Sequence, residues 1–423
     1  MTPYLRRLPS KAGRLTNHKI RSSVNQHPRS GHTGSAVKDQ FFMKIQIDGT
    51  NTQNKGAELM LLSVLEQIEA RHPEATVVFN STLGNAKSVQ TNLSFTQPLR
   101  VRYGRYIRAV LHRLGLPHFS VFSEYHPLKN IDLVLDASGF RLGDQWDHPP
   151  VYFDGLENYY KKLKQHGSKI ILLPQAFGPF HTETGKRSVR ILNRYADLIV
   201  ARETVSRNYL LEAGGQPEKI IEYPDFTITV KGIFPDQYRE MKGRVCIIPN
   251  KKMITHTSLD AEEYSSNLIS IIAEIRKAGE KVFLLNHEGE GDLESCLRIT
   301  KHFNRELPVV SGLNAREIKG MIGASRMVIS SRYHGVASSL HQGVPCLATS
   351  WSHKYEMLFH DYDLTGQIID LNDHTGQTRN KIQRLLDGTE NSKMRRHLNK
   401  KKDEISRNIS TMWNIIWEKM NDN

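Results

Sequence analysis

Cysteine is scarce in this chain: three occur in 423 residues, Cys246, Cys296 and Cys346, far apart and without any CxxC or Cys/His ligand spacing. That argues against a disulfide framework and against a zinc site, and it leaves Cys246 and Cys346 as core strand residues. No apolar run approaches the ~18 uninterrupted residues that would span a bilayer, and the N-terminus lacks the apolar centre of a secretory signal. A cytoplasmic location is therefore expected. No acidic cluster has metal-ligand spacing, so no metal is expected. Past residue 42 there is no short-period repeat, heptad run or low-complexity tract.

Charge is what the chain has in excess, with 58 Lys/Arg against 44 Asp/Glu and a net +14. Residues 1–42 hold eight of those cations and one acid, so the remainder carries 50 against 43, or +7. The leader is polar and aperiodic and reads as a disordered basic arm, with Met43 as an alternative translation start. Because half of the net charge sits there, a nucleic-acid partner is not expected for the folded part. A basic face suits peripheral contact with an anionic membrane surface instead.

From Met43 on, strands and helices alternate. KIQIDG, a loop TNTQNKG, a helix AELMLLSVLEQIEARH and ATVVFN make a βαβ start. Further strands are expected at 131–138, 169–175, 197–202 and 219–225, and a second series at 244–250, 281–287, PVVSG, RMVISS and PCLATS. The pattern predicts an α/β fold of two Rossmann-like doubly wound domains facing a cleft. Its parts are a domain over 43–228, a linker at 229–243, a second domain over 244–375, and helices over 376–423 that pack back on both.

Ligands in such folds bind beyond the carboxyl ends of the strands, so chemistry is sought in the loops there. The run Met327–Lys354 reads as a strand, a turn with Arg332 and His334, a short helix ended by Gly343 and Pro345, and a second strand. A helix start offers free N–H groups and positive dipole, and Ser331, Arg332 and His334 at that point favour a phosphate or carboxylate. Arg202, at the end of an apolar strand, is placed to make a second anion contact unless it pairs with Glu203 or Asp225. His334, with an ordinary pKa of about 6.5, is the first choice for proton transfer, and Lys354 is within reach of the same anion. The loops of the first domain carry Asn51, Asn54, Glu58, Asp136, Ser138, Asp144 and Gln175.

These residues resemble those of the polysaccharide pyruvyltransferases. The S-x-R-x-H turn, helix, G-x-P and Lys of Ser330–Lys354 look like that family's most specific block. In the same order stand N-x-G at Asn54–Gly56, DLVLDASGF before Asp144, PQAFGPF at 174–180, VARETVSRNYL at 200–210, and Pro224 with Asp225. The resemblance implies a GT-B-like pair of domains and pyruvyl transfer from phosphoenolpyruvate to a sugar of a polysaccharide or its lipid-linked precursor, forming a ketal. Phosphoenolpyruvate would be the donor substrate and no cofactor would be used. Arg202, Arg332 and His334 would be the catalytic set, with Ser331 and Lys354 completing the donor site. Asn51, Asn54, Glu58, Asp136, Ser138, Asp144 and Gln175 would face the acceptor. Two departures, Ala57 after Gly56 and Ala137-Ser138-Gly139 where the family often has glycines, fall on the acceptor side. A GT-B glycosyltransferase using a nucleotide sugar is the alternative.

Overall fold

The computed structural model describes residues 43–79, 91–96, 131–349, 354–371, 373 and 376–421. The expected leader, residues 1–42, lies outside the described residues. Two all-parallel sheets organise the rest. The first holds β1 (Lys44–Asp48), β2 (Thr76–Phe79), β3 (Ser94–Thr96), β4 (Leu133–Asp136), β5 (Lys169–Gln175), β6 (Leu198–Ala201) and β7 (Ile220–Glu222), in the order β3-β2-β1-β4-β5-β6-β7. The second holds β8 (Val245–Ile248), β9 (Val282–Leu285), β10 (Val309–Val310), β11 (Met327–Ser330), β12 (Cys346–Thr349) and β13 (Ile368–Ile369), in the order β10-β9-β8-β11-β12-β13. Each sheet reverses its winding once, between β1 and β4 in the first and between β8 and β11 in the second. Loops leaving those neighbouring strands diverge to opposite faces and open a crevice.

The strands are apolar on both faces because both faces are covered. Alternation decides which core each residue joins. Leu133, Leu135, Ile171, Leu173, Leu198 and Val200 point into a central core, while Val134, Ile170, Leu172 and Ile199 point to an outer one. In the second sheet Cys246, Ile248, Phe283, Leu285 and Val328 join the same central core, and Val245, Ile247, Val282, Leu284, Met327 and Ile329 an outer one. The inner faces of the two sheets are thus bound into one continuous apolar cluster. Cys246 and Cys346 are buried in it, as expected of core strand residues.

Helices α1 (Lys55–Arg71), α2 (Pro150–Gln165), α3 (Glu183–Tyr195) and α4 (Thr204–Glu212) belong to the first series. The second series has α5 (Lys252–Thr255), α6 (Ala261–Lys277), α7 (Gly289–His302), α8 (Ala315–Gly323), α9 (Tyr333–Leu340) and α10 (Lys354–His360). Local signals set the starts. Asn54 caps α1 by accepting from the Ala57 N–H, and Asp260 and Asn314 close capping boxes with Glu263 and Glu317.

The stretch at 229–243, read as a linker, is tied down: the Ile233 N–H donates to the Arg316 carbonyl, and its backbone fills the space above Gly320 where a side chain would otherwise stand. The last helices, α11 (Gln377–Leu386) and α12 (Gly388–Asn421), do pack back. Arg395 near the start of α12 donates to the Ser325 and Arg326 carbonyls, while Trp413 near its end meets Phe226 edge-on and Arg71 donates to Asn414. Among the described residues no helix is long and apolar enough to cross a membrane.

Candidate active site

A cavity of about 270 Å³ lies where the two reversal points face each other. From the first sheet it is lined by Gly49, Asn51, Asn54 and Gly56 after β1, by Ser138, Gly139, Phe140 and Trp146 after β4, and by Arg202 after β6. From the second it takes Asn250 and Lys252 after β8, His287 and Glu288 after β9, Arg332, Tyr333 and His334 after β11, and Lys354 and Tyr355 after β12. The starts of α1 and α9 both border it, so two positive helix ends converge on one space. Arg332, at the N-cap of α9, offers no side-chain cap to that helix.

The cations are held in place by protein acids. The Arg332 Nε and Nη2 donate to both oxygens of Asp292 at 2.7 Å, and its Nη1 donates to Glu288 at 2.6 Å. Burial alone would lower the guanidinium, but these hydrogen bonds and charges hold it above its ordinary pKa. The repulsion expected between an unliganded Arg332 and the helix start is thereby offset. Glu288 also accepts from the Asn54 Nδ2, at 3.1 and 3.2 Å, and so bridges the two sheets across the cavity.

Arg202 is buried, with its guanidinium 4.5 Å from the centre of the Tyr333 ring and 4.0 Å from Asp225. The pairing with Asp225 weighed from sequence is present; Glu203 instead caps α4 by accepting from the Ser206 N–H. Lys354 opens α10, and its Nζ stands 5.4 Å from the Tyr333 ring and 5.9 Å from Phe140. Burial, then the charges of Arg202, Lys252 and Arg332, push Lys354 down to about 7.

His334 sits at the junction. Its ring lies against Gly56 of α1, so close that a Cβ there would overlap Nδ1 and Cε1. Its Nε2 is sealed from solvent and faces the Asp225 carboxylate at 3.7 Å. Burial, reinforced by Arg202, Lys354 and Lys319 and opposed by Asp225, drops the imidazole to about 4, so it is neutral at pH 7. Burial would raise Asp225, yet His334, His341, Arg202 and a Thr227 hydrogen bond hold it at about 2. The arrangement is an imidazole with an anion behind it and a cationic cavity before it.

The structure gathers Arg202, Arg332, His334 and Lys354 with Asn51, Asn54 and Ser138 around this cavity. It does not bring the other expected residues there. The Ser331 hydroxyl is buried and bonded to Tyr264 and Thr349 at 2.7 and 2.6 Å, so it braces the second sheet rather than facing a donor. Glu58 turns to the buried side of α1, where Lys55 meets it. Asp136 lies below the floor, holding the Ser138 hydroxyl and Arg141. Asp144 accepts from Thr182 and the His181 N–H at the start of α3. Gln175 is fully buried at the end of β5, without a hydrogen-bond partner for its amide. Lys252, Phe140, Trp146 and Tyr333 were missed; the aromatics of the β4 loop, standing among polar residues, were the available signal.

Comparison with known proteins follows the same outline. The sequence matches, over residues 54–353, the family described as Polysaccharide pyruvyl transferase. Among curated protein sequences no relative matches. Solved structures share the fold. Anabaena Alr3699/HepE in complex with UDP-glucose is similar with a TM-score of 0.55 and 16% identity, over 89% of this chain and 98% of that one. A putative UDP-N-acetylglucosamine 2-epimerase from Listeria monocytogenes gives 0.53 and 13%, over 84% and 91%. A glycosyltransferase from Rickettsia africae gives 0.54 and 10%, over 90% and 100%. At these identities the likeness establishes the fold alone, which is the GT-B arrangement. The family match encloses the second reversal point together with Arg202, Arg332 and His334, and the chain belongs to the polysaccharide pyruvyl transferase family, a family of transferase enzymes.

Proposed function

We propose that the protein transfers the pyruvyl group of phosphoenolpyruvate to a saccharide of a polysaccharide, or to its lipid-linked precursor, as a ketal with release of phosphate. The observation that carries this reading is the convergence of Arg202, Arg332, Lys354 and two helix starts on one cavity beside His334. A small ligand bearing both a carboxylate and a phosphate matches two separate guanidinium forks. Arg332 reaches it with the two N–H groups that Asp292 and Glu288 leave unused out of five.

The chemistry needs an acid that exists only when the donor is bound. The carboxylate and phosphate of the donor, entering the cavity, stabilise the protonated forms of His334 and Lys354 and lift both from their low values. Protonated at both nitrogens, His334 directs one N–H to Asp225 and the other, at Nδ1, into the cavity. The C2–C3 double bond takes that proton at C3, which becomes the methyl group, and C2 gains oxocarbenium character. One sugar hydroxyl forms a C2–O bond and returns its proton to the imidazole. A second hydroxyl forms the other C2–O bond as the bond to the phosphate oxygen breaks, and its proton leaves with phosphate. The cations that bound the donor stabilise the departing anion. An acceptor on a lipid carrier accords with a chain of net +14 meeting an anionic surface.

The GT-B arrangement alone is also compatible with a nucleotide-sugar donor. Thermal denaturation separates the two, since a ligand at 100 times its Kd stabilises the folded state by about 2.7 kcal/mol. Phosphoenolpyruvate is expected to raise Tm while UDP-glucose leaves it unchanged. The reverse pattern would overturn the proposal.

A further inference from the structure

Beside its cations the cavity holds an aromatic pair, Phe140 and Trp146, with the Lys354 Nζ 5.9 Å from the Phe140 ring. Trp146 is 38% exposed, lines the cavity from the β4 loop, and meets Phe140 edge-on at 5.5 Å. The turn that carries it is anchored at several points. The Asp144 N–H donates to the Pro179 carbonyl, the Asp144 carboxylate accepts from the His181 and Thr182 backbone and the Thr182 hydroxyl, and Asp147 closes the turn in the left-handed region. A non-glycine residue with positive φ is uncommon and costs backbone energy. An indole left partly in water on a braced turn is a surface prepared for a ligand.

We propose that Trp146, backed by Phe140, is the platform on which a pyranose ring of the acceptor stacks. This deepens the reading above and rests on it. A pyranose has one face of C–H groups, which packs on an indole, and a rim of hydroxyls, for which the Asn51 amide and the Ser138 hydroxyl stand in the same cavity. No cation of the second sheet is needed for such a ligand, whereas the donor's anionic groups need them. Trp146 lines the cavity while standing partly in water, so the rest of a longer acceptor extends past it into solvent. Asp144 is a positioning residue in this scheme, acting through the turn. This assigns a role to a residue that does not itself face the cavity.

The test uses the full chain with saturating phosphoenolpyruvate and a panel of probes: the methyl pyranosides of glucose, galactose, mannose and N-acetylmannosamine. Binding is read by saturation-transfer-difference NMR and titration. At least one pyranoside is expected to bind, with saturation strongest on one ring face. Trp146→Ala should weaken it about tenfold or more, while Trp146→Phe stays within about threefold. Stabilisation by phosphoenolpyruvate should be the same in all three proteins, which also shows that the variants are folded. A pyranoside bound equally well by Trp146→Ala would overturn the platform, as would a wild type that binds no pyranoside or binds UDP there instead. If pyranosides bind through Trp146 while phosphoenolpyruvate does not bind, the platform stands and the donor assignment fails.

Discussion

Arg332 is set before any ligand arrives, because Asp292, fully buried, grips it through two hydrogen bonds. Removing the guanidinium would strand that carboxylate, so Arg332→Ala is expected to cost about 3–5 kcal/mol of stability in chemical denaturation, apart from any loss of donor affinity. An unchanged denaturation midpoint would mean that Asp292 does not depend on its partner. His334 makes a different prediction. His334→Ala should lower kcat by about 10²–10⁴-fold while donor affinity changes little, because the imidazole transfers a proton rather than supplying the main charge. The pH argument has a definite sign. His334 lies at about 4 and Lys354 at about 7, and both are cations when protonated. A bound anion with a carboxylate and a phosphate raises both values, so phosphoenolpyruvate should bind with proton uptake at pH 7. Calorimetry in buffers of different ionisation enthalpy measures that uptake, and donor binding without it would contradict the assignment. Arg332 and His334 were legible in the strand-turn-helix pattern alone. Asp292 was not, since it lies 40 residues away and reads locally as an ordinary acid in the first turn of a helix.

At the scale of elements the decisive contact is between the starts of α1 and α9, which belong to different sheets. Gly56 exists for the His334 ring: no side chain fits between them. Gly56→Ala should therefore displace the imidazole and reduce kcat/KM by about 100-fold, the effect of a misplacement near 1 Å, while circular dichroism stays that of the wild type. Wild-type turnover in that variant would show that the ring is not held there during the reaction. Gly56 stood out in the sequence as part of an N-x-G motif, but the reason for it comes from residue 334. Strands such as β5, β6, β8 and β9 were legible because four consecutive apolar residues stood between polar or turn residues. Strands β3 and β13, of three and two residues, are too short to show a period. Ser331, Asp136 and Gln175 stand at strand ends and Glu58 and Asp144 farther along, on α1 and in the turn after β4, yet a sequence does not reveal which way a side chain turns, and none of the five lines the cavity.

The molecule as a whole is bound by the central core that both sheets share, closed by α12, whose Ile409, Met412, Trp413, Ile416 and Trp417 are all buried in it. Unfolding of the two sheets should therefore be coupled. Trp413→Ala is expected to cost about 3–5 kcal/mol and to shift one cooperative transition seen by near- and far-ultraviolet circular dichroism alike. Two separate transitions, with only one of them moved, would argue for independent lobes. The alternating βα pattern made the two-sheet architecture readable, because each strand carries apolar residues for both faces. The helices over 376–423 were expected to pack back on both domains, but their pattern did not reveal that the residues from Ile409 to Trp417 enter the core shared by the two inner faces.

The central claim is pyruvyl transfer with proton delivery to the methylene carbon. Incubation of the protein with phosphoenolpyruvate and saccharide acceptors in D2O, followed by phosphorus and carbon NMR, tests both parts at once. The account predicts phosphate release only in the presence of an acceptor, matched by a ketal whose methyl group carries one deuterium. Phosphate release without acceptor, or a product lacking deuterium in its methyl group, would contradict it.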